Sequence, residues 1–537
     1  MVRQYTVDVM RKDIDKEARR SSRKPVVGSI LKAAVEFKAE KAPRLRVFKV
    51  TDPVTAQNRV LKKLLTQASD TAFGTRYNFK KILNSNQIRE KFAATVPVYD
   101  YDKMYREWWY RCLAGETFVA WPGKIKYFAL SSGTSGASSK YIPVTGDMIK
   151  AIRKTSMRQL FSLGRYDFPE TLFQKQALML GGSTQLQYNG IYYAGDLSGI
   201  TTGNLPLWFE ERFYKPGRHI SKERDWQKKI EEIVQKAPEW DIAAIVGVPA
   251  WFQILFQKII ERYHLTTIHD IWPNLAIFVH GGVAFEPYKQ SFEKLLAHPL
   301  AYMETYLASE GFLAYQSRPD SPMELVLDNS IFFEFVPFTD KNFDEDGSIV
   351  AHPETLFIDQ IEEGKEYAVL ISTCSGAWRY LIGDTVRLVN RERNEILITG
   401  RTKSFLSLCG EHLSVDNMNR AVQMLGEEKG VGILEYTVLG VKSNGMFGHR
   451  WFIGCDQPLD AVEATEKIDA YLKELNDDYR VERLEAIRDV KVEVLPLQIF
   501  YDYMRKQGKE GSQNKFPRVL KGAKADEWLE YLKTVKG

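Results

Sequence analysis

The sequence predicts an α/β protein: a large N-terminal domain of helix-covered sheets with a barrel-like subdomain, then a small, mobile C-terminal α+β domain. The first observation is that short apolar runs at 127–130, 177–180, 243–246 and 276–280 are separated by longer helical patterns such as 226–236. Strands that alternate with helices at this spacing favour sheets covered by helices. The chain is also 537 residues long, which is too long for one hydrophobic core, so we expect more than one domain.

The second observation is a change of pattern past about residue 320. Strand signals then follow one another more densely, at 331–336, 367–373, 380–389 and 395–399. Strands that succeed each other without helices between them are typical of antiparallel sheets. This part, at about 320–400, is predicted to be barrel-like.

The third observation concerns the C-terminal part of the chain. Strand patterns at 435–441, 450–455 and 490–495 surround a helical pattern at 461–475. A unit of about 135 residues is a normal size for independent packing. The predicted division is a basic N-terminal arm at 1–45, a large domain at 46–401 and a small domain at 402–537.

Charge and composition exclude several classes of protein. The net charge of +5 is concentrated in residues 1–45, which hold 12 Lys and Arg against 6 Asp and Glu. A nucleic-acid reader would need a basic face on its folded part, so this arm is interpreted as a solvated terminus and no nucleic-acid partner is expected. The four cysteines are far apart and form no C-x-x-C pair, which argues against a disulfide scaffold or a zinc site.

The sequence also lacks the signals of a membrane protein. No apolar run reaches the roughly 18–20 residues that span a bilayer. The first apolar stretch, 25–37, is interrupted by Lys32 and Glu36, unlike the apolar core of a secretory signal. We therefore expect a cytoplasmic protein without a membrane partner, and we also expect a monomer.

The first segment that carries chemistry is a serine- and glycine-rich loop after the strand at 127–130. It reads Ser-Ser-Gly-Thr-Ser-Gly and is followed, at its end, by Lys140. Glycines allow close approach of the backbone, and free N–H and hydroxyl groups can cradle phosphate oxygens. The alternative is an ordinary surface turn. The loop matches neither the P-loop, because no Gly precedes Lys140, nor the G-x-S-x-G nucleophile turn.

Two further segments could hold the rest of a nucleotide. Ser309 and Glu310 follow Tyr306 in Tyr-Leu-Ala-Ser-Glu-Gly, and a carboxylate beside a hydroxyl can hold Mg²⁺ against a phosphate. Asp384 follows a strand and could accept hydrogen bonds from ribose hydroxyls, with Arg401 in a Gly-Arg-x-Lys turn beyond it. Alone, the first could be an ordinary loop and the second a structural salt bridge.

The last segment is a glycine-flanked loop near the C-terminus. It contains Lys515, with Gly508 and Gly511 before it and Phe-Pro-Arg after it. The alternative interpretation is a solvated basic tail.

In this order, the segments resemble the adenylate-forming superfamily, which includes acyl-CoA ligases, peptide-synthetase adenylation domains and luciferase. Ser-Ser-Gly-Thr-Ser-Gly, Tyr-Leu-Ala-Ser-Glu-Gly and Asn-Lys-Phe-Pro-Arg are most similar to one branch. This branch is the acyl acid-amido synthetases of the auxin- and jasmonate-conjugating type, here in a bacterial-style form. The resemblance covers roughly residues 50–525.

The resemblance implies that ATP and Mg²⁺ are the cofactors, that Glu310 binds the metal, and that Glu310 and Lys515 are catalytic. Lys515 would reach the α-phosphate from the small domain. Thr134 and Ser135 would contact phosphates, and Ser309 the α-phosphate. The full set of implied nucleotide-binding residues is Ser132, Gly133, Thr134, Ser135, Gly136, Lys140, Gly281, Gly282, Tyr306, Ser309, Asp384 and Arg401.

The more detailed roles follow the same resemblance. Gly281 and Gly282 would flank the adenine with Tyr306 stacked near it, and Asp384 with Arg401 would hold the ribose. The sequence departs from the family pattern at Ala137, where many members have glycine, and at Leu381, where an arginine is common. The loop could then be stiffer, and one arginine contact is lost.

The implied activity has two steps. A carboxylic acid is adenylated by ATP with release of pyrophosphate, and the acyl group then passes to an amine, expected to be an amino acid, with release of AMP. Two alternatives stay open: an acyl-CoA ligase, in which a thiol replaces the amine, and a non-catalytic nucleotide-binding module.

Overall fold

The structure is a computed structural model that describes most of the chain beyond the N-terminal arm. The described residues are 52–131, 140–282, 285–344, 347–402, 406, 413–443, 446–476, 479–480, 483, 487–508 and 516–536. The predicted basic arm, the loop at 132–136 and Lys515 lie outside them. Among the described helices, none is long and apolar enough to cross a membrane.

The helices of the described residues occupy both ends of the chain and the spaces between strands. They are α1 (Pro53–Ala68), α2 (Ala72–Arg76), α3 (Phe79–Leu83), α4 (Ile88–Thr95), α5 (Tyr101–Met104), α6 (Tyr110–Leu113), α7 (Gly146–Ser162), α8 (Leu197–Thr202), α9 (Leu207–Arg212), α10 (Arg218–Ser221), α11 (Trp226–Lys236), α12 (Pro249–Tyr263), α13 (Glu286–Glu293), α14 (Val415–Lys429), α15 (Ala461–Leu475), α16 (Leu497–Lys506) and α17 (Ala523–Lys536). The predicted helices at 226–236 and 461–475 are confirmed to the residue.

The strands of the described residues follow the predicted alternation. They are β1 (Tyr127–Ser131), β2 (Lys140–Val144), β3 (Gln176–Leu180), β4 (Gln187–Tyr188), β5 (Tyr193–Gly195), β6 (Tyr214–Lys215), β7 (Ile242–Gly247), β8 (Ile277–Gly281), β9 (Ala301–Ala308), β10 (Gly311–Gln316), β11 (Met323–Leu325), β12 (Ile331–Pro337), β13 (Glu366–Thr373), β14 (Tyr380–Asn390), β15 (Glu395–Arg401), β16 (Glu435–Ser443), β17 (Met446–Gly454), β18 (Ile487–Leu495) and β19 (Val519–Leu520).

Eleven of these strands form one large sheet in the order β12-β13-β14-β15-β11-β10-β9-β8-β7-β3-β6. The strands β6, β3, β7, β8 and β9 run parallel to one another and form the parallel half of the sheet. The remaining strands pair antiparallel and form the antiparallel half. The strands predicted as a barrel-like part therefore have the expected antiparallel pairing, and they continue directly from the parallel strands.

Both faces of the parallel half are covered, which explains its apolar strands. On one face, Ile245 and Phe278 pack into a cluster with helices α11, α12 and α13. On the other face, the neighbouring residues Ala243 and Ile277 pack against the segment that follows α7. The largest cluster joins the N-terminal helices to the antiparallel half, with Trp378 fully buried at its centre.

Two smaller sheets complete the described fold. Strands β2, β1, β5 and β4 form one, in which β1 pairs antiparallel with β2 and parallel with β5. Strands β18, β17, β16 and β19 form the other, and helices α14 and α15 share a hydrophobic cluster with it. This last sheet is the predicted C-terminal α+β unit. The division of the chain at residue 402 remains a prediction.

A buried arginine fixes the start of β14. Arg379 is 4% exposed, and its guanidinium Nε lies 3.0 Å from each carboxylate oxygen of Glu334 on β12. The same guanidinium donates to the carbonyls of Ala93 and Val96 at the end of α4. Arg379 adopts φ of +41°, a left-handed conformation that is uncommon for a side chain of this size. The contacts of the guanidinium hold this conformation and so set the direction in which β14 leaves.

Candidate active site

The candidate site lies at the carboxyl edge of the parallel half. Parallel strands bring their carboxyl ends to the same edge of a sheet, where ligands bind in open α/β folds. Gly281 ends β8, and Ser309 and Glu310 form the two-residue turn after β9, in which Ala308 pairs with Gly311. The neighbouring pairing of β8 with β9 therefore brings the predicted Gly-Gly turn and the predicted Ser-Glu turn side by side.

The Gly-Gly turn is needed for the packing of this edge. A Cβ atom on Gly281 would lie 2.4 Å from both the carbonyl oxygen and Oγ1 of Thr305 on β9. Gly282 has φ of +82°, which favours glycine. His280, just before the pair, is buried among aromatic rings, and its burial lowers its pKa to about 4, so its ring is neutral. Contact of these glycines with adenine remains a prediction.

Tyr306 and Arg401 both donate a hydrogen bond to the carboxylate of Asp384. The hydroxyl of Tyr306 donates to Asp384 Oδ2 over 2.6 Å, and Arg401 Nε donates to Asp384 Oδ1 over 2.7 Å. Asp384 and Arg401 are cross-strand partners on β14 and β15, while Tyr306 reaches them from β9. The negative charge of Asp384 raises the pKa of the Arg401 guanidinium, and burial raises the pKa of Tyr306 well above its usual range.

These two hydrogen bonds bring three predicted residues together in an arrangement that the sequence alone did not indicate. The ring of Tyr306 is 6% exposed, and its hydroxyl holds the carboxylate of Asp384. Because each carboxylate oxygen of Asp384 accepts a hydrogen bond, the orientation of the carboxylate is fixed. A carboxylate oriented in this way is suited to accept hydrogen bonds from a ligand hydroxyl.

Glu310 is a buried carboxylate poorly compensated by its surroundings. Its residue is 8% exposed, and its carboxylate accepts a hydrogen bond from its own backbone N–H. Burial, together with the charge of Asp384, raises the pKa of Glu310 to about 7, although a backbone hydrogen bond and the charges of Arg401 and Lys140 act in the opposite direction. A buried carboxylate beside a second carboxylate is the environment that a bound cation would relieve.

The described residues could bind Mg²⁺ only if a substrate supplied further oxygen ligands. The described residues contain no group of three or more His, Cys, Asp and Glu side chains that could hold a metal. Mg²⁺ is commonly bound by one or two carboxylates together with phosphate oxygens and water. Glu310 therefore fits as the protein's ligand to a metal that is shared with a phosphate.

Lys140 approaches the same place from the other side. Ser131 at the end of β1 pairs with Lys140 at the start of β2, and these two residues flank the predicted phosphate loop in the sequence. The ammonium of Lys140 lies 5.2 Å from the ring centre of Tyr101, and its charge acts on Glu310. The loop residues Ser132, Gly133, Thr134, Ser135 and Gly136, like Lys515, lie outside the described residues, so their contacts remain predictions.

Arg379 is the residue near the site that sequence reasoning missed. It stands five residues before Asp384 and anchors the strand that carries it. The signal was present, because a lone arginine between Trp378 and Tyr380 interrupts an otherwise apolar run. A buried arginine in such a run needs a carboxylate partner, which lies 45 residues away in the chain.

Solved structures of other proteins share the fold of this chain. An acyl acid-amido synthetase named GH3.15, solved with 2,4-DB, superposes with a TM-score of 0.74 at 17% identity and covers 93% of this chain and 96% of its own. A 2-hydroxyisobutyryl-CoA ligase solved in its postadenylation state gives a TM-score of 0.57 at 15% identity over 89% and 91%. The fold is that of the adenylate-forming enzymes.

Within that class, the chain belongs to the GH3 family. The models of the GH3 family N-terminal, central and C-terminal domains match residues 48–192, 324–395 and 416–524. Among individual relatives, the indole-3-acetic acid-amido synthetase GH3.4 of Arabidopsis thaliana is 28% identical over 47% of this chain and 45% of that protein. The indole-3-acetic acid-amido synthetase GH3.2 of the same plant is 24% identical over 77% and 86%. The match to GH3.4 thus spans less than half of that relative's length.

Proposed function

We propose that this protein is an ATP-dependent acyl acid-amido synthetase. It adenylates a carboxylic acid, releasing pyrophosphate, and then transfers the acyl group to an amine, expected to be an amino acid, releasing AMP. The observation that carries the proposal is the buried carboxylate of Glu310, beside the Asp384–Arg401 pair at the carboxyl edge of the sheet. Membership of the GH3 family supports it, because the named relatives are amido synthetases.

In the first half-reaction, an oxygen of the acid attacks the α-phosphorus of ATP and pyrophosphate leaves. Asp384, held by Tyr306 and Arg401, accepts hydrogen bonds from the ribose hydroxyls and fixes the nucleotide in register. Lys140 would bring positive charge to the phosphates, and the loop before it is expected to supply backbone N–H groups. Glu310 would hold Mg²⁺, which when bound would neutralise charge on the phosphate oxygens.

In the second half-reaction, the amine attacks the acyl carbon, loses a proton, and the bond from that carbon to the oxygen of AMP breaks. The proposed role of Lys515 is to reach the α-phosphate in the first step from the small domain, which begins at about residue 402. Rotation of that domain would exclude water during adenylation and then admit the amine. We further propose that the protein acts on small molecules in the cytoplasm and that it is a monomer.

A CoA ligase is the second candidate, because the 2-hydroxyisobutyryl-CoA ligase shares the fold. The two candidate functions differ in the second step, in which the acyl acceptor is either an amine or the thiol of CoA. They are compared by giving the adenylated enzyme either an amino acid or CoA and measuring amide and thioester. Amide formation supports the proposal, and thioester formation with CoA alone would replace it.

The decisive test of the first step is exchange of labelled pyrophosphate into ATP with a panel of carboxylic acids and no amine. Acid-dependent exchange is expected, with AMP as the nucleotide product once an amine is added. Cleavage of ATP to ADP would overturn the proposal, because it means attack at the γ-phosphorus. A protein that binds ATP and shows no exchange with any acid would be a nucleotide-binding module instead.

A further inference from the structure

A buried tyrosine that has no role in the site described above stands at the start of β14, the strand that carries Asp384. Tyr380 is 1% exposed, and the centre of its ring lies 5.2 Å from the ring centre of Trp109. Its backbone lies between Ile371 on β13 and Tyr99, with which it forms an isolated bridge. Backbone pairing on both sides and packing of the ring therefore fix the place of this side chain.

The hydroxyl of Tyr380 has no hydrogen-bond partner among the residues that the structure describes. Burial, together with the charge of Glu310, raises the pKa of Tyr380 well above its usual range, and the charge of Arg401 acts in the opposite direction. The hydroxyl therefore keeps its proton and lies close enough to feel two charged groups of the candidate site. Buried tyrosine hydroxyls normally have a partner, so this unpaired donor points to an atom that a ligand supplies.

Other buried tyrosines of the same sheet do have partners for their hydroxyls. Tyr306 donates to Asp384, and the hydroxyl of Tyr367 on β13 accepts the N–H of Glu362 over 2.9 Å. A residue needed only to fill the space at the start of β14 could be phenylalanine, which has the same ring and no hydroxyl to bury. The hydroxyl of Tyr380 is thus unfavourable for folding unless a bound molecule uses it.

The proposed reaction brings two kinds of anionic oxygen next to Glu310, those of the α-phosphate and those of the reacting carboxylate. The phosphates already have Lys140 and the loop before it as their proposed donors. The carboxylate has two oxygens, of which only one attacks phosphorus. None of the residues assigned above holds the other oxygen, so this oxygen is the acceptor that still lacks a donor.

We propose that the hydroxyl of Tyr380 donates a hydrogen bond to the carboxylate oxygen of the acid substrate that does not attack phosphorus. This bond orients the carboxylate beside Glu310, so that its other oxygen approaches the α-phosphorus in line. The new bond from oxygen to phosphorus forms as the bond to pyrophosphate breaks, and Tyr380 keeps its proton throughout. The inference rests on the proposed adenylation activity.

This hydrogen bond should be strongest before the reaction. The carboxylate carries a full negative charge when it binds, and it loses that charge as its attacking oxygen bonds to phosphorus. A hydrogen bond to a charged group is stronger than one to a neutral carbonyl. Loss of the donor should therefore appear as a higher KM for the acid rather than as a fall in kcat.

The test compares Tyr380→Phe with the wild type in pyrophosphate exchange. Hexanoate, benzoate and phenylacetate are included in the panel of acids, and the best acid is used for full kinetics. KM for that acid should rise by about tenfold or more, and kcat should stay within about threefold. The ATP affinity, measured by calorimetry, should be unchanged.

Stability provides a second readout, which a purely structural role would move in the opposite direction. Tyr380→Phe removes a hydroxyl without a partner and keeps the buried ring, so its midpoint of urea unfolding should equal or exceed that of the wild type. Tyr367→Phe is the matched control, because it deprives the N–H of Glu362 of its acceptor. This control should unfold at a lower urea concentration and leave KM for the acid unchanged.

The possible outcomes are distinguishable. An unchanged KM for the acid in Tyr380→Phe would overturn the inference while adenylation stands. A loss of ATP affinity as large as the rise in KM would overturn it too, because the hydroxyl would then bind the nucleotide. A lower urea midpoint with a parallel loss of activity would mean that the hydroxyl is structural. Absence of exchange with every acid in the wild type would instead count against the proposed function, and the inference would fall with it.

Discussion

The hydroxyl of Tyr306 donates a 2.6 Å hydrogen bond to Asp384 Oδ2, which joins β9 to β14 across the candidate nucleotide site. The two residues stand 78 positions apart in the chain, and the bond links the parallel half of the sheet to the antiparallel half. The carboxylate that is proposed to hold the ribose is thus fixed by a residue from the opposite half. The parallel half of the sheet supplies the hydroxyl donor, and the antiparallel half supplies the carboxylate acceptor.

The first prediction tests this bond. Tyr306→Phe keeps the buried ring and removes only the donor, and a hydrogen bond to a charged group contributes roughly 1.5–3 kcal/mol. ATP affinity, measured by calorimetry, should fall about tenfold because Asp384 keeps only Arg401 to orient it. The matched control is Tyr302→Phe on the same strand, whose hydroxyl makes an exposed 3.4 Å contact to Glu293. Equal ATP affinities in wild type and Tyr306→Phe would contradict the role assigned to the bond.

The second prediction concerns the charge of Glu310. Glu310→Gln removes the carboxylate that is proposed to hold Mg²⁺, so pyrophosphate exchange should slow by about 10²-fold or more. A neutral amide of the same size should leave the fold intact. Exchange at the wild-type rate would show that Glu310 does not hold the metal.

The third prediction follows from the raised pKa of the same residue. The folded protein keeps a proton on Glu310 up to about pH 7, whereas the unfolded chain releases it near pH 4.5. The free energy of unfolding therefore falls as the pH rises from 4.5 to 7, by roughly 3 kcal/mol in all. Glu310→Gln, which has no such proton, should unfold at a higher temperature than wild type at pH 8 and at the same temperature at pH 4. A difference of the same size at both pH values would mean that the burial of the charge is not its cause.

The fourth prediction concerns the buried Arg379–Glu334 pair. Arg379→Met leaves Glu334 buried and unpaired, which typically costs about 3–5 kcal/mol. The loss is read from the midpoint of urea unfolding. Adding Glu334→Leu should restore most of it, since no charge is then left uncompensated. Lys341→Met, which breaks an exposed pair with Glu354, should cost less than about 1 kcal/mol. An Arg379→Met protein as stable as wild type would mean that the pair does not hold β14.

The fifth prediction concerns Lys515. If this lysine reaches the α-phosphate only during adenylation, it stabilises the transition state more than bound ATP. Lys515→Ala should then lower pyrophosphate exchange by about 10²-fold or more with little change in ATP affinity. Conversion of a preformed acyl-adenylate to the amide should stay near the wild-type rate. Equal losses in both half-reactions would argue for one working conformation.

Much of the fold could be predicted from the sequence because its signals are local. The helix at 461–475 and the parallel strands follow from apolar spacing, and the antiparallel half was recognised from its dense strands. The hydrogen bond of Tyr306 to Asp384 could not be predicted, because nothing in either segment specifies a partner 78 residues away.

The join between the two halves of the large sheet has a consequence for biosynthesis. Strand β11 ends at Leu325, yet its second neighbour in the sheet, after β10, is β15, and Met323 pairs with Ile396. A ribosome must therefore add some seventy more residues before the sheet that began with β3 acquires its next strand. During that interval β11 presents an unpaired edge, a known route to mispairing in nascent chains. The edge of β11 can therefore be covered by its native neighbour only after the residues up to Arg401 have left the ribosome.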